Sequence, residues 1–377
     1  MRIAQVAPLF ESVPPRLYGG TERVVYYLTE ELVRQGHEVT LFASGDSITS
    51  AELVPCTPQA LRLDPDVRDP LPHQILLLDK VRERAGEFDI LHFHVDYLHF
   101  PLFRTQAERT LTTLHGRQDL ADHMPFYAHF PEMPLVSISN AQRAPLPRAN
   151  FVATVYHGLP VDLHKPTFEP CGGYLAFLGR ISPEKRPDRA IAIARAIGLP
   201  LKIAAKVDKA DESYFREVIA PMLGGGGVEF IGEINESEKT EFLGNAAGLL
   251  FPIDWPEPFG LVIIEAMACG TPVLAFRGGS VAEIVEDGIT GRIVESVEHA
   301  VQAMPTLLAL DRRAIRARFE QRFSATRMAA DYVRVYQKLL RKRATPELQL
   351  ATLAARSAPT NGHAGHVPIA ATTRETN

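Results

Sequence analysis

The chain has 377 residues, a length that suits two domains at roughly 150 residues each, and its 46% hydrophobic and 23% charged content excludes a mainly disordered chain. A formal charge of -5 argues against a generic nucleic-acid binder, which is usually basic. Cys56, Cys171 and Cys269 are odd in number and far apart, so neither a disulfide framework nor a CxxC metal pair can be built from them. The reading is a reduced, cytoplasmic protein. The first seven residues, MRIAQVA, read as a strand and carry no targeting signal. The longest apolar stretch, 261–276, contains Glu265 and is broken by Gly270 and Pro272, so no membrane span is expected.

In chain order, residues 2–7 form a strand, 17–20 a loop, and Val24, Val25, Leu28 and Leu32 mark one helix face. Gly36 closes that helix and 38–42 is the next strand. Apolar runs recur at 89–93, 110–114, 135–138 and 152–155. A second series opens near Gly173: a strand over 173–178, the loop 179–186, a helix opened by Pro187, and strands near 201–204, 228–231, 248–251, 273–275 and 292–294. Strands alternating with helices predict α/β architecture with mostly parallel sheets. The halves meet at the proline-rich segment 157–170. The expected division is 1–165 for the first domain, 170–325 for the second, a helix over 326–343 packing back on the first, and a disordered tail over 344–377. Residues 312–343 hold eleven Lys or Arg and two acids, which reads as a solvated helix face or, more sharply, as contact with an anionic membrane surface.

Three constellations bear chemistry. Tyr18-Gly19-Gly20-Thr21-Glu22 lies between the first strand and its helix, where bare backbone and a helix N-terminus favour an anion. The GxGxxG fingerprint is absent, so NAD or FAD binding is not indicated. The loop Gly179-Arg180-Ile181-Ser182-Pro183-Glu184-Lys185-Arg186 follows the first strand of the second half. Two cations on a loop bent by Pro183 and Pro187 suit a diphosphate. The third string, from Asp254 through Glu257, Pro258, Phe259, Gly260 and Leu261 to Glu265, predicts a helix beginning at Pro258 whose leading amides face a cleft. Glu265, in an apolar helix, needs a partner, and hydroxyl donors of a sugar fit.

These strings carry a resemblance. Glu257 and Glu265, seven residues apart within EPFGLVIIEAMACGTPV, resemble the E-x7-E signature of retaining glycosyltransferases of family 4, which have the GT-B fold: two Rossmann-like, doubly wound parallel-sheet domains facing a central cleft. GRISPEKR resembles the family's R-x4-K diphosphate site, the segment 278–294 its following stretch, and Gly19-Gly20 and Thr113-Leu114-His115-Gly116 its amino-domain glycine loop and histidine. The likeness spans about residues 1–343 and is stronger in the second half.

The resemblance implies that Arg180 and Lys185 would neutralise a donor diphosphate, with the backbone of Gly20 and of Phe259, Gly260 and Leu261 adding hydrogen bonds. Glu265 would hold the ribose hydroxyls and Glu257 those of the hexose. His115 would sit over the sugar, and Ile231 where the main chain meets the base. The implied activity is metal-independent transfer of a hexose, with retention, from a nucleotide diphosphate sugar of the UDP-glucose or GDP-mannose type to a hydroxyl acceptor not specified by the sequence. No cofactor or nucleic acid is implied, and the oligomeric state stays open. Alternatives are a GT-B sugar-nucleotide epimerase or phosphorylase, and a non-catalytic sugar-nucleotide sensor. Asp64-Pro65-Asp66 spells a metal-binding DxD but lies in a polar, Pro-rich loop. His92, His94, Asp96 and His99 could bind zinc by spacing, yet fit better as a strand end at the cleft, with His94 an acceptor-side candidate.

Overall fold

The computed structural model describes residues 1–17 and 19–357, with side chains described through Arg341. Seven parallel strands form the first sheet: β1 (Arg2–Val6), β2 (Glu38–Ser44), β3 (Glu52–Thr57), β4 (Ile90–Phe93), β5 (Thr110–Thr113), β6 (Leu135–Ser137) and β7 (Phe151–Thr154), in spatial order 3-2-1-4-5-6-7. Six more form the second: β8 (Leu175–Arg180), β9 (Leu201–Lys206), β10 (Val228–Gly232), β11 (Gly248–Phe251), β12 (Val273–Phe276) and β13 (Gly291–Val294), in order 10-9-8-11-12-13. The order reverses beside β1 in one sheet and beside β8 in the other. Ligands of open α/β sheets bind at such reversals, outside the carboxyl ends of the strands.

Strand β3 is not marked by the sequence pattern, since Pro55 interrupts ELVPCT. It is an edge strand, where a missing N–H is tolerated. The helix expected to begin at Pro258 begins later, at Leu261, because Gly260 adopts φ 81°, ψ 63° and turns the chain before the helix starts. A left-handed residue of this kind is cheap only for glycine.

The final helix runs Ala325–Ser357, past the expected end at 343. Its extension over 344–357 is rich in Ala and Leu, which are good helix formers. Residues 358–377 of the expected tail lie outside the described residues. Met328, Tyr332, Tyr336 and Leu339 are buried in one core with Ile3, Leu28 and Leu111 of the first half. The connector also touches the start of this helix: Leu159 N–H donates to Phe323 O (2.8 Å) and Ala325 N–H to Leu159 O (2.8 Å). A Cβ on Gly158 would lie 2.3 Å from Ser324 O, so only glycine permits that crossing.

The basic run at 312–343 is a solvated face only in part: Arg313, Arg334, Lys338 and Arg341 are exposed, but Arg312, Arg316 and Arg327 turn inward. Arg312 and Arg316 are each only 9% exposed. Arg316 donates to the carbonyls of His164 (2.8 Å) and Ala268 (2.6 Å), and Arg327 to that of Tyr156 (2.5 Å). Arg312 donates to Thr167 O (2.7 Å), Ala246 O (3.0 Å), Gly244 O (2.8 Å) and Thr271 Oγ1 (2.7 Å). These guanidiniums donate to carbonyls at helix and loop ends, where backbone acceptors are left over. Among the described residues no helix is long and apolar enough to cross a membrane. Arg312→Met should lower unfolding stability by about 3 kcal/mol, the cost of orphaning several buried carbonyls. Urea denaturation measures this, and a change below about 0.5 kcal/mol would contradict the clamp.

Candidate active site

The carboxyl ends of the two sheets face each other across a cleft of about 790 Å³. Its walls include Gly20, His94 and His115 from the first half, and Arg180, Lys185, Glu257, Phe259, Gly260, Leu261 and Glu265 from the second. One expected residue is missing from the walls. Ile231 is half-buried against the core, and Glu233 and Ile234, just past β10, line the cleft instead.

Local sequence explains how the cations arrive there. Arg180 ends β8. Arg186 takes φ 53° before the helix Pro187–Ile197, which ends the loop sharply. Asp254 N–H donates to Glu184 O (2.8 Å), and the Asp254 carboxylate accepts from Arg186 (2.8 Å) and Arg189 (3.0 Å). These bonds lock the Arg180–Lys185 loop to the strand-to-helix turn that carries Glu257. Gly278 and Gly279 support that turn from behind: a Cβ at Gly279 would lie 2.2 Å from Glu257 O. At Gly20 a Cβ would meet nothing within 4 Å, so the bare backbone there leaves open space in the cleft.

The cations of the second-half wall all have internal partners. Lys185 is salt-bridged to Glu257, and its ammonium stands 4.9 Å from the Trp255 ring centroid. Trp255 Nε1–H donates to the same Glu257 oxygen (2.9 Å). Arg180 pairs with Glu184 and lies 3.6 Å from Asp208 and 3.7 Å from Asp211. Lys206 pairs with Asp208 at 3.0 Å. Lys239 bridges Glu265 (2.8 Å) and Glu236 (3.2 Å), and Arg23 reaches across from the first half to Glu236. His164, Glu236 and Glu265 place ligand atoms within 4.8 Å of one another. With Arg23 and Lys239 on those carboxylates, the charge a dication would supply is already in place.

Sequence reasoning missed Arg23, Lys239 and His157. Arg23 sits three residues after Gly20, on the first turns of the helix Gly20–Arg34. Its position one turn into a helix whose N-terminus faces the cleft was the available signal. His157 was read as part of a linker. Its ring stacks on His115 (5.3 Å) and meets Phe259 edge-on (4.7 Å).

The histidines form a directed chain rather than a metal cluster. Gln5 Nε2–H donates to Tyr336 Oη (3.2 Å), and Gln5 Oε1 therefore accepts from His94 Nε2–H (2.8 Å). His94 Nδ1 must then accept from His115 Nε2–H (2.9 Å). Both ring nitrogens of His94 are thus engaged, and the acceptor contact expected of it has no nitrogen left. His115 Nδ1 is left as a buried lone pair without a partner, on a residue that lines the cleft. The same Tyr336 hydroxyl donates to His92 Nδ1 (2.8 Å), whose Nε2–H donates to Thr113 (2.8 Å).

Burial pushes the His115 pKa down to about 3, and His92, His94, His99 and His157 fall well below the usual imidazole value for the same first cause. Glu22 shifts the opposite way for a carboxylate, up to about 7, chiefly through burial, with Glu11 adding to it and Arg62 opposing. A buried neutral histidine binds fewer protons folded than unfolded, so its stabilisation holds above pH 6.5 and is lost as pH falls. Glu22 acts the other way, binding more protons folded between pH 4.5 and about 7. The lowered imidazoles, with His37 among them, outnumber the raised carboxyls Glu22, Asp96 and Asp211. Stability should therefore fall from pH 6.5 to 5, each neutral imidazole contributing up to about 1.4 kcal/mol per pH unit. Urea midpoints read this, and ¹⁵N spectra should show His115 as the Nε2–H tautomer throughout. A flat stability profile, or an Nδ1–H tautomer, would contradict the chain.

Two family models match. "Glycosyltransferase Family 4" matches residues 18–156 and "Glycosyl transferases group 1" matches residues 165–323. A D-inositol 3-phosphate glycosyltransferase of Mycolicibacterium smegmatis (strain ATCC 700084 / mc(2)155) is 26% identical over 353 residues, 74% of this chain and 75% of that one. Among solved structures, AviGT4, a glycosyltransferase involved in avilamycin A biosynthesis, is 25% identical, with a TM-score of 0.70 over 90% of this chain and 98% of that one. Anabaena Alr3699/HepE, solved in complex with UDP and glucose, shares the fold at 18% identity, with a TM-score of 0.68 over 90% of this chain and 100% of that one. With one family model on each half and GT-B architecture throughout, the chain belongs to glycosyltransferase family 4, whose members transfer a sugar from a nucleotide sugar.

Proposed function

We propose that the chain moves a hexose from a nucleoside diphosphate hexose to a hydroxyl acceptor with retention of configuration and without a metal ion. The observation that carries this reading is one cleft wall holding Arg180, Lys185 and the N-terminus of the helix Leu261–Ala268, with Glu257 and Glu265 alongside. UDP-glucose is the leading donor, because HepE, of the same fold, holds UDP and glucose.

The donor diphosphate takes over the cations that carboxylates hold in its absence. Arg180 turns from Glu184, and Lys185 from Glu257, toward phosphate oxygens. The leading amides at Leu261 and Val262 have no carbonyl within their own helix and aim at the same charge. Glu257, released from Lys185, accepts from hexose hydroxyls, and Glu265 from ribose hydroxyls while it stays paired with Lys239. The bare Nδ1 of His115 accepts a hydroxyl hydrogen of the sugar; held neutral, it puts no positive charge beside a developing oxocarbenium centre.

The chemical step breaks the bond from the anomeric carbon to the phosphate oxygen as the acceptor oxygen bonds to that carbon on the same face. The bonding electrons leave on the diphosphate, and the acceptor proton passes to the departing phosphate oxygen. Fixed donors at the diphosphate act where charge develops, and losing one costs about 3–4 kcal/mol.

Thermal-shift measurements with UDP-, GDP- and ADP-sugars should single out one base, because binding the native state raises its stability. With that donor, Lys185→Ala and Glu265→Ala should each lower turnover at least tenfold in protein that remains folded by circular dichroism. Near-normal turnover in both variants would defeat the reading.

A further inference from the structure

The donor reading uses His115 but leaves the rest of the first-half wall of the cleft unused. That wall is built where chain leaves the carboxyl ends of β1, β3 and β4. Leu61 N–H donates to Leu9 O (2.8 Å) and Arg62 N–H to Phe10 O (3.1 Å), which ties two of these segments together. Phe10, Leu17, Leu71 and Leu98 line the cleft from this side and are 40%, 46%, 48% and 41% exposed. A single exposed leucine needs no explanation, but four large apolar side chains on one wall of a cavity do.

The cations on this wall are few and already paired. Arg62 is held by Glu11 (2.5 Å), and Arg23 is held by Glu236 and the carbonyl of Leu17. His94 and His115 are neutral, as shown above. Asp96 lies three residues past the end of β4 and lines the cleft with part of its surface exposed, while the protein around it raises its pKa above the usual carboxylate value through burial, opposed by His123. Its φ of 52° is a left-handed value that a non-glycine residue seldom takes, and strain of this kind gathers at ligand sites. A carboxylate beside leucines, with no arginine or lysine bound to it in any observed ion pair, suits hydroxyl donors and repels phosphate.

We propose that this wall is the acceptor subsite, and that its acceptor is neutral: a polyhydroxyl head held by Asp96 and carried on an alkyl chain lying along Phe10, Leu17, Leu71 and Leu98. The proposal rests on the donor reading for one thing only, that the sugar to be transferred enters the same cleft.

The test titrates the full chain, saturated with UDP, with three probes: octyl β-D-glucoside below its micelle concentration, glucose, and glucose 6-phosphate. Calorimetry reads each affinity, and UDP affinity is measured first in the same samples. Octyl glucoside should bind at least tenfold more tightly than glucose, and glucose 6-phosphate more weakly than glucose. The double variant Leu71→Asn/Leu98→Asn should lose at least tenfold in affinity for octyl glucoside with UDP affinity unchanged. Asp96→Ala should weaken both neutral probes by a similar factor. Glucose 6-phosphate binding as well as glucose, or octyl glucoside binding undiminished in the double variant, would overturn the proposal. If UDP, GDP and ADP all fail to bind while octyl glucoside behaves as expected, the donor reading falls and the amphiphile-binding wall stands.

Discussion

A cleft that must receive a dianion has to gather positive charge, and gathered positive charge is unstable unless something neutralises it before the ligand arrives. In this chain carboxylates do so. Glu257 holds Lys185, Glu184 and two aspartates surround Arg180, and Glu236 with Glu265 hold Lys239 and, across the cleft, Arg23. Breaking such a pair by deleting one member strands the other, whereas exchanging one anion for another keeps the cation satisfied. The cleft is therefore arranged for exchange: a diphosphate displaces carboxylates, and the displaced Glu257 is left where sugar hydroxyls would stand.

The remaining structure serves to hold these partners in place. The second sheet fixes the loop after β8 and the turn after β11 side by side, and Asp254 joins them through Arg186 and Arg189. The final helix returns to the first half and places Tyr336 under the sheet. From there a hydrogen-bond chain through Gln5 and His94 sets which nitrogen of His115 is bare. A residue 221 positions further along the chain than His115 thus determines its tautomer, which links the return of that helix to the chemistry of the cleft.

Much of this was legible in the sequence where a local rule was strong. Alternating strands and helices announced parallel sheets, and Arg180, Lys185, Glu257 and Glu265 stand on the cleft as their motifs implied. What escaped was non-local or broke a local rule. Pro55 hid an edge strand, and the left-handed turn at Gly260 moved a helix start. The arginines at 312, 316 and 327 looked like a solvated basic face because composition cannot show that carbonyls from distant segments converge on them. His157 carried no spacing signal, since only the folded chain brings it to the same cleft as His115.

The central claim is that cations and helix amides recognise a diphosphate, and calorimetry of UDP against UMP, and of GDP against GMP, tests it most directly. The account predicts that for the accepted base the diphosphate binds at least tenfold more tightly than the monophosphate, and that this margin collapses in Arg180→Ala/Lys185→Ala. Equal affinity for the two nucleotides in the unaltered chain would contradict it.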